Sequence, residues 1–164
     1  MEVRILSGVL DKTVSNVNEA FMCEAYREAE TAFSRGEVPI GAVIVRDGVI
    51  IARGSNRVRE RSDPTAHAEC EAIRQACIVT GDWRLTGTTL FVTLEPCAMC
   101  AGAMIESRIP DLVYGAPETR WDRSITHLLL CGGRFNHTVQ VVEGVLEDEC
   151  RALLNRFFHE LRTK

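Results

Sequence analysis

A chain of 164 residues, 46% hydrophobic and 26% charged, has the length and balance of one globular domain with a real core. A net charge of −4 argues against a protein that coats nucleic acid through bulk electrostatics, and the odd count of seven cysteines argues against a secreted disulfide framework. No apolar run approaches the roughly 18 to 20 residues of a membrane span, and Asp11 and Lys12 interrupt the short apolar N-terminus, so a signal peptide is not expected and a cytoplasmic location is.

Residues 1–17 read as an N-terminal extension, loose and without a sustained period, ahead of one domain over 18–164. From 18 to 35, Phe21, Met22, Ala25, Ala29, Ala32 and Phe33 mark one helical face, and Gly36 is a natural stop. Residues 39–46 form a β-rich apolar run. Asp47-Gly48 is a hairpin turn, and residues 49–52 return as the second strand. Asp63 as N-cap and Pro64 at the first helical position predict a helix running to about Val79. Cys23, Cys70 and Cys77 fall in helical patterns and read as small core residues.

Residues 88–93 predict a buried strand, Pro96 opens a helix to about Ser107, and 112–114 is a short strand. The segment 116–133 is the least readable, a loop and a short helix. A strand over 138–142 and a helix over 147–161 close the chain. The helix carries Cys150, Leu153, Leu154, Phe157, Phe158 and Leu161 on its apolar side. A hairpin followed by strands alternating with helices predicts an α/β fold, with a mostly mixed or parallel sheet covered on both faces.

Charge is unevenly spread. Arg53, Arg57, Arg59 and Arg61 crowd together, Arg120, Arg123 and Arg134 form a looser set, and Glu143, Glu147, Asp148 and Glu149 lie apart. Such a rim either holds a phosphate backbone or is a solvated arginine-rich loop; charge alone leaves both open.

Two stretches carry chemistry: His67-Ala68-Glu69 and Pro96-Cys97-Ala98-Met99-Cys100. Alone, each is weak, since a His near a Glu is usually structural and a C-x-x-C is more often redox-active or half of a structural zinc site. Together they fall at equivalent places, each near the start of a helix at one end of the sheet. Cys97 and Cys100, at i and i+3, share a helix face whose N-terminus favours thiolates. His67 and Glu69, at i and i+2, would diverge in a regular helix and need an opening turn to converge.

His67, Cys97 and Cys100 with no fourth ligand describe a catalytic zinc with an open position. Zinc lowers the pKa of a bound water toward about 7, giving a hydroxide nucleophile, and Glu69 beside it is the expected proton shuttle. The H-x-E…P-C-x-x-C pattern resembles that of the zinc nucleobase deaminases.

P-T-A-H-A-E (64–69), T-L-E-P-C-A-M-C-A-G-A-M-I (93–105), E-V-P-I-G-A-V-I-V (37–45), Asn56, F-N-H (135–137) and the closing G-V-L-x-x-E-C-x-x-L-L-x-x-F-F (144–158) resemble the bacterial tRNA-specific adenosine deaminases. The likeness runs from about 18 to 161. It implies a three-layer α/β/α cytidine-deaminase-like fold with a five-stranded mixed sheet, a homodimer, and Zn2+ on His67, Cys97 and Cys100. The implied substrate is the wobble adenosine of a tRNA anticodon loop, converted to inosine. Asn56, Ala68 and Ile40 would contact the base. Arg57, Arg120, Trp121, Asn136, Phe157 and Phe158 are the expected RNA-binding residues, with Asn56 alternatively serving the turn after the hairpin and Phe157 or Phe158 alternatively core.

One segment departs. Where the family has a pattern resembling D-x-K-x-G-A-x-G-S, this chain has Pro117-Glu118-Thr119-Arg120-Trp121-Asp122-Arg123-Ser124. Arg120 replaces the lysine's charge and Trp121 offers a stacking surface, or else the bulkier loop closes the pocket around a free nucleobase or nucleoside such as guanine or cytosine.

Overall fold

The computed structural model describes residues 4–7, 10–13 and 16–163. Near the N-terminus, β1 (Arg4–Ser7) and β2 (Leu10–Thr13) pair antiparallel with Arg4 opposite Thr13. That ladder replaces part of the loose extension expected over 1–16; four-residue strands are too short to carry a period. The rest of that expectation lies outside the described residues.

Helix α1 (Val17–Ser34) starts where Asn16 accepts a hydrogen bond from the Glu19 N–H at 3.0 Å, an N-cap that satisfies one of the free first-turn donors. Strands β3 (Gly41–Arg46) and β4 (Val49–Ser55) form the hairpin. Its turn residues Asp47 and Gly48 have φ of 51° and 73°, the left-handed pair that matches strand twist. A short helix α2 (Val58–Arg61) follows, then α3 (Ala68–Thr80), β5 (Thr88–Leu94), α4 (Ala98–Glu106) and β6 (Asp111–Ala116). Helix α5 (Ser124–Cys131), β7 (Gln140–Val142) and α6 (Glu147–Arg162) complete the chain.

The sheet order is β4-β3-β5-β6-β7. Strand β3 runs antiparallel to β4 and β5, whereas β5, β6 and β7 run parallel, so the sheet is mixed as expected. Alternation within the central strands sorts the core. Ala42, Ile44, Leu90, Val92, Leu112 and Tyr114 face α3, α4 and α5; Val43, Val45, Phe91 and Val113 face α1 and α6. Helices therefore cover both faces in three layers.

Two glycines let helices lie directly on the hairpin. A Cβ at Gly41 would overlap the Ala25 carbonyl oxygen, and one at Gly54 would overlap the Ala68 carbonyl oxygen. The second contact seats the first turn of α3, which carries the site. Among the described residues, no helix is long and apolar enough to cross a membrane.

The start of α3 differs from expectation. The Asp63 carboxylate accepts the Thr65 N–H at 2.8 Å and the Thr65 hydroxyl at 2.7 Å, so it caps a local turn. The helix opens at Ala68, with His67 extended as its N-cap. Helix α4 likewise opens at Ala98 behind an extended Cys97, not at Pro96.

Candidate active site

Two helix N-termini build the centre. His67 (φ −72°, ψ 153°) precedes α3 and Cys97 (φ −73°, ψ 171°) precedes α4, each extended and each free to aim its side chain away from its helix axis. Cys100 lies within the first turn of α4, buried. His67 Nδ1 stands 3.6 Å from Cys97 Sγ and 3.6 Å from Cys100 Sγ. The three ligand atoms all lie within 4.8 Å of one another.

These distances test the metal reading. A tetrahedral zinc with bonds of about 2.05 Å to nitrogen and about 2.3 Å to sulfur separates such atoms by about 3.6 Å. The donor set has the spacing and the soft-ligand chemistry of zinc. The Cys97 thiol is drawn down to about 4 by its hydrogen bond to Cys100, against the opposing effect of burial and with a further bond to His67; a readily formed thiolate is the form a metal takes.

Glu69 sits at the second residue of α3, 3% exposed, and burial raises its carboxyl to about 7. Its Oε2 is buried and lacks a hydrogen-bond partner. An unsatisfied buried carboxylate oxygen costs stability, and such groups belong where a ligand or a reacting proton supplies the partner. The extended N-cap also removes the spacing difficulty, since only Glu69 is helical while His67 is outside.

The loop after β4 is tied to this centre through its backbone. Asn56 is 5% exposed, and its N–H donates to the Ile40 carbonyl at 3.1 Å. The Arg57 N–H donates to the Ala66 carbonyl at 3.0 Å, one residue before His67. Among the described residues, the hydrogen bonds of Asn56 all run through its backbone, one of them received from Arg35 at 3.1 Å, leaving the carboxamide uncommitted. Ile40 is half-buried between the two core clusters, and Ala68 is fully buried. Glu37, 1% exposed, was not singled out in the sequence. Its carboxylate accepts the Arg59 and Glu60 N–H groups at 3.2 and 2.7 Å and so fixes this loop from the far side.

The basic rim is largely neutralised. Arg53 pairs with Glu24 and Glu28, Arg61 with Glu71, and Arg57 with Glu60. Glu60 lies within the run itself, but Glu24, Glu28 and Glu71 lie outside it, which is why the arginines looked more basic than they are.

The divergent segment 117–124 is anchored by a second unassigned carboxylate. Glu95, immediately before Pro96, accepts the Glu118 N–H at 2.9 Å and Arg123 Nε at 2.6 Å. Arg123 also donates to the Tyr114 hydroxyl at 2.6 Å and to Glu143 at 3.1 Å. Arg120 is held by Glu118 at 2.7 Å and lies 4.6 Å over the ring of Trp121, which is 40% exposed. Arg120 is thus ion-paired with Glu118 while its side chain stays 62% exposed. No local signal marks Glu37 or Glu95 except that each is an acid flanked by apolar residues.

The aromatic pair divides. Phe157 is buried against Phe33 with ring centroids 5.5 Å apart, which places it in the core and not on an RNA-facing surface. Phe158 is 37% exposed and lines a cavity of about 320 Å³ with Val38, Leu94, Pro117, Arg120 and Leu154. Asn136 is exposed and accepts from Arg108 at 3.1 Å, outside the lining of that cavity.

A three-layer mixed-sheet fold with a His-Cys-Cys cluster and an adjacent buried Glu at paired helix N-termini defines a deaminase-type domain. A family model described as MafB19-like deaminase matches residues 16–162. The chain belongs to this deaminase family, which its sequence relatives place beside the bacterial tRNA-specific adenosine deaminases. It is 51% identical over 148 residues to a Bacillus subtilis protein named tRNA-specific adenosine deaminase, covering 90% of this chain and 92% of that one. A Streptococcus pyogenes protein of the same name is 44% identical over 145 residues, covering 88% and 91% of the two chains.

A solved structure from a study of A-to-I editing by tRNA:A34 deaminases at the wobble position superimposes with a TM-score of 0.76. It is 44% identical and covers 82% of this chain and 98% of that one. A guanine deaminase from Nitrosomonas europaea also superimposes, with a TM-score of 0.73 at 26% identity, covering 85% of this chain and 83% of that one.

Proposed function

We propose that this protein hydrolytically deaminates the wobble adenosine of a tRNA anticodon loop to inosine, within one zinc deaminase domain over 18–164 preceded by an extension over 1–17. The observation that carries the substrate is the 51% identity, over 90% of the chain, to a protein named for that reaction. His67, Cys97 and Cys100 would hold Zn2+, which when bound supplies a water acidic enough to attack near neutral pH.

Glu69 does the proton work. Near about 7 its carboxyl exchanges a proton at little cost at neutral pH. It takes a proton from the attacking water and hands it to the ring nitrogen as the new C–O bond forms. It then takes the proton of the new C–OH group and delivers it to the exocyclic amine, so that the carbonyl forms, the C–N bond breaks and ammonia leaves. Water and adenosine become inosine and ammonia, and Glu69 returns to its starting state.

The uncommitted Asn56 carboxamide, which offers both a donor and an acceptor, reads the edge of the flipped base, with Ile40 and Ala68 as its walls. Trp121 and Phe158 offer stacking surfaces to neighbouring unpaired nucleotides. Arg57 and Asn136 are the remaining candidates for the RNA backbone. A cytoplasmic homodimer belongs to the same reading, and Met99, 37% exposed on the mostly apolar α4, is available to such a contact.

The test is to incubate zinc-loaded protein with an anticodon stem-loop bearing a wobble adenosine, and in parallel with guanine and cytosine. Inosine in the RNA without free-base turnover is the expected result. Rapid guanine or cytosine turnover with unmodified RNA would overturn the substrate assignment.

A further inference from the structure

Cys70 reads from sequence as a small core residue, yet its sulfur lies 3.8 Å from Cys100 Sγ. The proximity follows from the architecture. Cys70 is the third residue of α3 and Cys100 the third of α4, and the two first turns face one another across the site. Cys70 is 8% exposed and Cys100 is fully buried. Cys70 stands outside the group of three ligand atoms that cluster within 4.8 Å.

A coordinating thiolate keeps lone pairs that still accept hydrogen bonds, and groups behind the ligands orient them and tune the charge they give the metal. The contacts of Cys100 Sγ with other side chains include His67, itself a ligand, and Cys70, which is not.

We propose that Cys70 is a positioning residue of the zinc centre, donating an S–H hydrogen bond to the Cys100 sulfur from behind. This rests on the zinc reading above. The donor withdraws charge from one ligand and leaves the metal a stronger acid than two unmodified thiolates would. A residue that merely filled space would affect stability alone.

The full chain is loaded with cobalt(II) in place of zinc, and the sulfur-to-cobalt charge-transfer band is recorded for wild type, Cys70→Ala, Cys70→Val and Cys70→Ser. Thermal melting of each is followed in parallel. Alanine and valine remove the donor at smaller and similar volume, so one of them reports even if the other fails to fold. Both are expected to move the band to longer wavelength, because a thiolate without its donor yields an electron more readily, and serine is expected to restore it.

An unmoved band with a lowered melting temperature overturns the proposal and leaves Cys70 as core. A loss of about a third of the band intensity on substitution also overturns it, since Cys70 would then be a third thiolate ligand. Wild-type protein without any cobalt–sulfur band would sink the zinc reading and this proposal together, which separates the two failures.

Discussion

At the scale of single residues, Glu69 is the group whose environment and role are tied most closely. It is buried, its Oε2 is unsatisfied, and it stands in the first turn of α3 two residues after His67. Glu69→Gln keeps the shape and removes the proton exchange. Ammonia release is expected to fall by about 10²-fold to 10⁴-fold, with zinc content by metal analysis unchanged. Retained activity would show that another group moves the protons. Phe157 and Phe158 make the complementary point. Adjacent in sequence and alike in chemistry, they end respectively 5% and 37% exposed, because successive helix positions diverge by about 100°.

At the scale of elements, the junction of β4 with α3 is a close backbone contact that bears directly on the site. Gly54 leaves room for the Ala68 carbonyl, and neither backbone can yield without moving the turn that bears His67 and Glu69. Gly54→Ala is expected to cost about 1 to 3 kcal/mol in chemical denaturation and to lower activity beyond the loss of folded protein. The 117–124 segment behaves differently. Trp121 is 40% exposed and its guanidinium partner is already held by Glu118, so Trp121→Ala is expected to change stability within about 0.5 kcal/mol. If the ring stacks on a nucleotide, the KM for the stem-loop rises by the equivalent of about 1 to 3 kcal/mol while zinc content stays constant. An unchanged KM would remove Trp121 from the RNA surface.

At the scale of the molecule, the three residues proposed to hold zinc sit at the N-termini of two helices whose preceding strands, β4 and β5, are separated in the sheet by β3. A metal bound there joins α3 to α4 and stabilises only the folded chain. Chelation is expected to lower the melting temperature, and titrating zinc back should raise it in proportion to the logarithm of free metal in excess. A melting temperature indifferent to zinc would mean that the cluster does not hold it. Charge is also decided at this scale, since pairing of Arg53 with Glu24 and Glu28 ties β4 to α1, and pairing of Arg61 with Glu71 ties α2 to α3.

The amino-acid sequence by itself determined the order of elements from α1 onward apart from the one-turn α2, the hairpin turn at Asp47-Gly48 and the zinc-type donor set, because periodicity, turn chemistry and ligand spacing are local properties. It misplaced the start of α3, where Asp63 satisfies a nearby turn before the helix begins. Only the tertiary structure decided which arginines are neutralised, that Glu37 and Glu95 brace the two loops flanking the centre, and that Cys70 meets Cys100. Burial and hydrogen-bond partnership depend on residues 20 to 30 positions away, and those are brought together by packing and not by pattern.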